Sequence, residues 1–240
     1  MQDAADRTWQ IYLAIRAEPA YGLWTLVAVN ALVILIFAFS FGRPRTALEW
    51  RSFGGFSAFV VALFTEMYGF PLTLYVLSGW LQSKYPELDL LTHDAGHLWL
   101  TIFGLKGAAH ASALHVAGNV LIAGGFVLIV LAWRALWVAQ RAGRTAAHGP
   151  YAIVRHPQYL GFMLILAGLL LQWPTLLTLA MFPVLVWMYL RLARREERDM
   201  QSQFGEAYAR SVAGKPRFVP SLPGDKLKAV IDRVRRTSRR

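Results

Sequence analysis

The feature that most constrains this chain is an uncharged, strongly apolar run of 32 residues at positions 159–190. A helix needs only about 20 such residues to cross the hydrocarbon core of a bilayer, so a single span cannot use the whole run. Pro174 lies near its middle, where proline removes a backbone donor and clashes with the preceding helical turn. The run is therefore predicted to form two helices that fold back as a tight helical hairpin.

Three further runs have the same apolar character. Residues 22–41 and 116–133 carry no charge, and residues 56–80 carry Glu66 alone. Only 16% of the chain is charged while 56% is hydrophobic, which leaves too little polar sequence to cover a soluble globule. The predicted fold class is all-α integral membrane, with about five transmembrane helices. The apolar stretch 96–105 is half a span long and is predicted to form an interfacial or re-entrant helix.

The distribution of Lys and Arg predicts the orientation in the membrane. If residues 42–55, 134–158 and 191–240 share one side, that side holds 21 of the 25 basic residues. Such residues collect in cytoplasmic loops, so we expect the N-terminus outside and a cytoplasmic C-terminal helix, in a bacterial inner membrane. Topology thus accounts for most of the net charge of +11, and we expect membrane lipids, not nucleic acid, as partners.

These patterns divide the chain into three parts. Residues 1–115 are predicted to be a transmembrane scaffold with an external loop at 81–115. Residues 116–224 are predicted to form the membrane domain that carries the chemistry. Residues 225–240 form a basic tail with apolar residues at helical spacing, which is typical either of a membrane-surface helix or of a solvated tail.

The loop before the hairpin concentrates polar and aromatic side chains at one membrane boundary. It contains Gly149, Pro150, Tyr151, Arg155, His156, Pro157, Tyr159 and Gly161. Glu196 and Glu197 follow the hairpin and lie beside its entry once it folds back. Counting a rise of about 1.5 Å per residue from the turn puts these carboxylates about 9 Å below His156, within reach of Arg155.

Side chains of these types suit a cofactor that is both zwitterionic and aromatic. A carboxylate can hold an amino group, and the planar fork of Arg155 fits a carboxylate. Tyrosine rings can stack on a base or face a sulfonium. A plainer interpretation makes Arg155 and His156 membrane-boundary anchors, and makes at least one of the two glutamates a partner of neighbouring arginines.

Four features, taken together, resemble a known superfamily. They are the motif Gly-Pro-Tyr-x-x-x-Arg-His-Pro-x-Tyr-x-Gly at 149–161, the hairpin, the Glu196-Glu197 pair and the motif Phe204-Gly205-x-x-Tyr208. It is that of the isoprenylcysteine carboxyl methyltransferases and phospholipid methyltransferases, and the resemblance covers about 148–220. It implies S-adenosylmethionine as cofactor and methyl transfer, at the membrane–cytosol boundary, to a lipophilic or small acceptor. The N-terminal spans match neither branch, which leaves the acceptor open.

The resemblance also implies roles for individual residues. Arg155 would orient the acceptor or stabilise charge, and Glu197, like Glu196 or His156, could deprotonate an acceptor that requires it. The residues implied as cofactor contacts are Gly149, Pro150, Tyr151, His156, Pro157, Tyr159, Gly161, Glu196 and Glu197.

Two other functions fit an apolar chain of this kind. One is an NADPH-dependent membrane reductase of the sterol-reductase type, whose C-terminal domain resembles this superfamily. The other is a non-catalytic membrane accessory protein. Pro157 directly after Arg155-His156, together with the glutamate pair, favours the methyltransferase.

Several polar residues lie outside this motif. Glu66 and Asn119 fall inside predicted spans; Glu66 fits an acceptor cavity or a structural hydrogen bond equally well, and Asn119 favours the structural role. The external loop carries four histidines, His93, His97, His110 and His115. The first two are four residues apart, a spacing that metals can use, but hydrogen bonding or capping is the expected role and no metal is assigned.

Overall fold

The fold is entirely helical over the residues that the computed structural model describes, which are 21–41, 47–105, 109–143 and 145–219. These residues form seven α-helices and no strand. The helices are α1 (Trp24–Phe41), α2 (Ala47–Phe64), α3 (Leu72–Lys84), α4 (Leu98–Ile102), α5 (Ala113–Arg141), α6 (Pro157–Gln172) and α7 (Leu176–Val212). The surface helix predicted in the basic tail lies outside the described residues.

Two of these helices, α5 and α7, are long and apolar enough to cross a membrane on their own. A third crossing is possible where α2 and α3 together form one broken span. Helices α1 and α6 are apolar but shorter. The all-helical fold and the apolar spans are confirmed, whereas five crossings and a cytoplasmic C-terminus stay predictions.

The second predicted span, 56–80, is not one continuous helix, which corrects the sequence-based expectation. Helix α2 begins earlier, at Ala47, and passes through a π-helical turn at Thr65–Gly69 before the chain bends by 55° into α3. Pro71 stands at the N-cap of α3, where its missing N–H interrupts the hydrogen-bond ladder. The buried Glu66 carboxylate accepts the backbone N–H of Thr73 at 2.8 Å, so its contact is a structural hydrogen bond.

The predicted hairpin is confirmed. Helix α6 ends at Gln172 and α7 begins at Leu176, with Thr175 as the N-cap residue of α7. With 37 residues, α7 is about 56 Å long, nearly twice the hydrocarbon thickness of a bilayer. Its charged half, from Arg191 onward, therefore lies beyond the membrane-spanning half. Near its end, Gly205 adopts φ 51° and ψ −126°, a conformation open almost only to glycine, and the helix kinks there.

Paired glycines bring α5 and α6 together. A Cβ atom on Gly125 would lie 2.7 Å from the carbonyl oxygen of Gly161, and one on Gly168 would lie 2.6 Å from that of Gly118. The two backbones therefore touch at two levels of this antiparallel pair. Small residues allow such close approach between helices in membranes.

An aromatic cluster supports the entrance to the hairpin. Phe53 and Phe56 of α2 pack against Phe162 of α6, with ring centroids 5.3 Å and 5.0 Å away. Tyr159 stacks on Tyr189 of α7 at 5.5 Å. All five side chains are almost fully buried. The first turn of α6 is thereby held rigidly against α2 and α7.

Candidate active site

The open end of the hairpin brings His156 into contact with both glutamates of α7. The Nε2 atom of His156 lies 3.2 Å from Glu197 Oε1, and its Nδ1 atom lies 3.4 Å from Glu196 Oε2. This corrects the estimate that put the pair about 9 Å lower. Side chains on a helix lean toward its N-terminus, which for α7 is the turn of the hairpin, so both carboxylates reach back to His156.

Glu197 is held by cations. Arg217 donates to both of its oxygens, from Nε at 2.9 Å and from Nη2 at 2.8 Å, and Arg155 Nη1 lies 3.6 Å away. Burial alone would raise the pKa of this carboxyl, but the hydrogen bonds and charges of Arg217 and His156 outweigh it and lower the pKa below its usual value. The same bond raises the pKa of Arg217. Glu197 therefore acts as the centre of an ion-pair cluster.

Glu196 has a different environment. It accepts a hydrogen bond from the hydroxyl of Tyr159, and no Lys or Arg among the described residues lies within ion-pair distance of it. Its side chain is 23% exposed, compared with 13% for Glu197. Glu196 is thus fixed by a neutral hydroxyl and keeps a carboxylate edge open to the adjoining cavity.

Residues 215–218, here called the closing segment, cross the open end of the hairpin. The backbone N–H groups of Arg155 and His156 donate to the carbonyls of Pro216 and Arg217 at 2.9 Å and 3.0 Å. Arg155 Nε donates to the Lys215 carbonyl at 2.7 Å. Lys215 Nζ donates in turn to the Tyr151 carbonyl at 2.9 Å. The closing segment therefore fixes the conformation of the loop that carries the motif.

A cavity of about 360 Å³ opens between the loop, α7 and the closing segment. Its volume falls within the range of small-molecule sites. Its lining combines carboxylates, cations and phenol rings, and includes Glu49, Tyr151, Arg155, His156, Gln158, Glu196, Tyr208 and Lys215. A second, more open cavity of about 540 Å³ lies on the other side of Arg155 and is lined by Glu197 and Arg217.

The predicted site residues fall into three groups. Four line the first cavity: Tyr151, Arg155, His156 and Glu196. Glu197 lines only the second cavity. The remaining five, which are not among the lining residues, are Gly149, Pro150, Pro157, Tyr159 and Gly161.

Those five residues support the conformation of the site without lining its cavity. Gly149 has φ +61° and, with Pro150, begins a 3₁₀ turn, while Pro157 opens α6. Tyr159 orients Glu196, and Gly161 packs on α5. Gly161, predicted as a cofactor contact, instead makes its close approach to the backbone of α5.

Sequence reasoning missed several residues of the site. Lys215 and Arg217 supply two of its cations, and Gln158 accepts the Tyr151 hydroxyl at 2.7 Å. The sequence does contain a signal for these two cations. They flank Pro216, which cannot continue the charged helix before it and so marks a turn of the chain back toward the site. The pairing of Lys215 with Tyr151, 64 positions earlier, and of Arg217 with Glu197, 20 positions earlier, is visible only in the structure.

The four histidines of the 81–115 loop region gather at the other end of the hairpin. His93 and His97 do not share an α-helical face, since His93–Gly96 is a 3₁₀ turn and His97 follows it, yet both rings pack on Trp173 at 4.5 Å and 4.7 Å. Burial, aided by neighbouring histidines and opposed by a hydrogen bond to Gln172, lowers the pKa of His97 to about 4. Asn119 accepts from the Gln172 side chain at 2.8 Å, the structural role expected of it.

Comparison with known protein families found a matching sequence model for part of the chain. The sequence model described as phospholipid methyltransferase matches residues 113–207, from the start of α5 to just beyond Gly205. That segment contains the whole hairpin, the loop before it and both glutamates. Searches of curated proteins and of solved structures found no match. Residues 113–207 of this integral membrane protein are thus similar to the phospholipid methyltransferase family, which lies in the superfamily of membrane methyltransferases that includes the isoprenylcysteine enzymes.

Proposed function

We propose that this protein transfers a methyl group from S-adenosylmethionine to a lipophilic or small acceptor at the membrane–cytosol boundary. The family match supports methyl transfer as the reaction class. The observation that carries the choice of cofactor is the cavity of about 360 Å³, which places the Glu196 carboxylate and the Arg155 and Lys215 cations around one space. Opposite charges at separate points of one cavity suit an amino-acid zwitterion.

The donor set fits this cofactor. Glu196 would hold its ammonium group, because that carboxylate faces the cavity and no described Lys or Arg pairs with it. Lys215 would face its carboxylate. Tyr151 and Tyr208 offer ring faces for a base or a sulfonium. When bound, S-adenosylmethionine supplies an electrophilic methyl group, whose bond to sulfur breaks as its carbon bonds to the acceptor.

The protein's contribution is mainly positioning and exclusion of water. Tyr159 fixes the Glu196 carboxylate. The ion pairs of Glu197 with Arg155 and Arg217 hold α7 against the loop that carries the motif and against the closing segment. Arg155 lines both cavities and so lies between the proposed cofactor space and the more open surface. There its guanidinium is placed to orient an acceptor or to stabilise its charge.

The chemistry of the acceptor decides whether a base is needed. A carboxylate or thiolate acceptor needs none, while an amine or thiol must lose a proton, for which His156 or Glu196 is within the cavity. Glu197 is less suited to this role, because Arg217 engages both of its oxygens. His156 and Glu196, and not Glu197, are therefore the proposed proton acceptors.

The neighbouring glutamates provide a matched pair of variants for the binding test. Glu196→Gln keeps the shape but removes a charge-assisted hydrogen bond worth roughly 1.5–3 kcal/mol. We expect S-adenosylmethionine affinity to fall about ten- to hundredfold. Glu197→Gln should change affinity much less. Calorimetry on the detergent-solubilised protein measures both, and equal affinities for Glu196→Gln and the parent would contradict the proposed site.

Turnover and acceptor identity require a second assay. Incubation with methyl-labelled S-adenosylmethionine and a lipid extract, followed by identification of the labelled product, tests both. In Arg155→Lys the charge stays but the planar fork is lost, so we expect slower turnover with a smaller effect on cofactor affinity. Binding of NADPH in place of S-adenosylmethionine would instead support a reductase, and binding of neither would favour a non-catalytic protein.

A further inference from the structure

Four of the chain's six histidines converge where the hairpin turns, at the end of the fold opposite Glu196. His93, His97 and His110 each offer a ring nitrogen, and these three atoms all lie within 4.8 Å of one another. Nε2 of His115, in the first turn of α5, lies 3.5 Å from Nδ1 of His110. The four rings come from two short stretches of chain, 93–97 and 110–115, and tertiary structure brings these stretches together.

His97 has the features of a preorganised metal ligand. Its side chain is buried, with the residue only 4% exposed, and its Nδ1 atom lies 2.9 Å from the carbonyl oxygen of Gln172. A carbonyl only accepts, so Nδ1 carries the proton and the neutral ring keeps its lone pair on Nε2. That Nε2 atom is buried and has no hydrogen-bond partner among the described residues.

Both features have a common explanation. A buried polar atom without a partner is rare in folded proteins and calls for an unseen ligand. A metal-bound histidine, in turn, nearly always donates its second ring N–H to a carbonyl or carboxylate. His97 shows both features. Its Nδ1–H donates to the Gln172 carbonyl, and its Nε2 atom, which has no partner among the described residues, is left to bind a metal beside the neighbouring histidines.

We propose that His93, His97 and His110 bind one divalent transition metal ion, Zn²⁺ in the first place, with His115 as the fourth ligand. Zinc–nitrogen bonds of about 2.0–2.1 Å in a tetrahedron put ligand nitrogens about 3.3 Å apart. His110 and His115 are already near this separation, and the ring nitrogens of His93, His97 and His110, all within 4.8 Å of one another, would approach by up to about 1.5 Å on binding. A set of imidazoles selects Zn²⁺, Cu²⁺ or Ni²⁺ over Mg²⁺ or Ca²⁺, which prefer oxygen.

The bound ion would fasten the external loop to the turn of the hairpin. The loop already packs tightly there, since a Cβ on Gly96 would lie 1.8 Å from the Trp173 ring, and Trp99 donates to the Leu170 carbonyl at 3.0 Å. The 16 residues of α6 separate this end from Glu196 by about 24 Å. The proposed metal thus stabilises structure, independently of methyl transfer.

Metal titration of the full chain tests the proposal directly. The protein, purified in detergent with a histidine-free affinity tag and stripped by a chelator, is titrated with Zn²⁺ against a chromophoric competitor. We expect one equivalent to bind and the melting temperature to rise. Co²⁺ in its place should give the intense visible absorption of tetrahedral coordination. Absence of stoichiometric binding would overturn the site.

Single variants separate this site from incidental binding by surface histidines. His97→Asn keeps an N–H near the Gln172 carbonyl but lacks the Nε2 ligand, and His110→Ala changes an exposed side chain. Each should lower Zn²⁺ affinity at least about a hundredfold, beyond the effect of losing an outer-shell partner. His148→Ala, an exposed histidine outside the cluster, is the control and should bind like the parent.

Each variant tests the proposed metal site in its own way. If His97→Asn does not fold, His110→Ala alone decides, because its ring is at the surface. His110→Ala with unchanged Zn²⁺ affinity would overturn the proposal, as would an equal loss in His148→Ala. His115→Ala should weaken binding and abolish the tetrahedral Co²⁺ spectrum, and an unchanged spectrum would remove His115 from the ligand set.

Discussion

Glu196 and Glu197 are adjacent in the chain, but successive residues on a helix point about 100° apart, so the two carboxylates meet different neighbours. One faces a cavity and a tyrosine hydroxyl; the other faces two arginines. The sequence alone could predict that one of the pair serves as an ion-pair partner. It could not say which, because the deciding residue, Arg217, follows the helix and returns to it through the closing segment.

The role of Glu197 predicts a dependence of stability on pH. Because its pKa is lowered in the folded state, its stabilising effect is complete above the usual carboxyl pKa of about 4.3 and is lost as the pH falls through the lowered value. Glu197→Gln should therefore reduce stability at pH 7 by about 1 kcal/mol, a modest amount because water screens the partly exposed Arg217. The difference from the parent should shrink below about pH 4.

Thermal denaturation in detergent across this pH range measures the effect. Glu206→Gln provides a matched control, since Glu206 is an exposed carboxylate on the same helix. We expect it to change stability little at any pH. A Glu197→Gln variant as stable as the parent at pH 7 would show that the ion pairs with Arg217 and Arg155 contribute nothing measurable.

At the scale of elements, the contact between α5 and α6 predicts opposite effects for two adjacent glycines. A Cβ on Gly125 would meet the Gly161 carbonyl oxygen at 2.7 Å, whereas nothing lies within 4 Å of a Cβ on Gly124. Gly125→Ala should force the helices apart and cost about 1–3 kcal/mol. Gly124→Ala should be neutral or stabilise by up to about 1 kcal/mol, because alanine favours the helix.

Melting temperatures of the two variants in the same detergent make the comparison. Gly161→Ala, on the opposite helix, should behave like Gly125→Ala, since its Cβ would lie 2.9 Å from the Gly125 carbonyl oxygen. Equal stability of all three variants would mean that the two backbones are not in contact.

The hairpin was predictable because an apolar run too long for one span has proline near its middle, and the meeting of its ends followed from that turn. The break in the helix before α3 was not predicted, although Pro71 marks its position. Its geometry depends on the Glu66 carboxylate, which accepts from Thr73, and on the Thr73 hydroxyl, which accepts the backbone N–H of Leu176 a hundred residues away. The histidine cluster was not predicted either, because it also depends on contacts between distant residues. Spacing along the chain connected only His93 and His97.

For the whole molecule, the orientation in the membrane is a prediction that labelling can test. The chain contains no cysteine, so each single substitution is unambiguous. Glu87→Cys should react with an impermeant maleimide on intact cells, because its loop is expected outside. Ala142→Cys should react only after permeabilisation, because the basic residues predict that its loop lies inside. The reverse pattern would invert the topology, and labelling of both from outside would contradict a crossing by α5.

The closing segment supplies part of the site from outside the matched family segment. Lys215 and Arg217 lie beyond residue 207, where the family match ends, yet they bind the Tyr151 carbonyl and the Glu197 carboxylate inside it. A graft of the matched segment alone onto another membrane scaffold would carry two adjacent carboxylates without these cations, and an open hairpin end without its backbone partners. Such a chimera should recover cofactor binding only when the transplanted piece extends through Phe218, which covers the His156 ring.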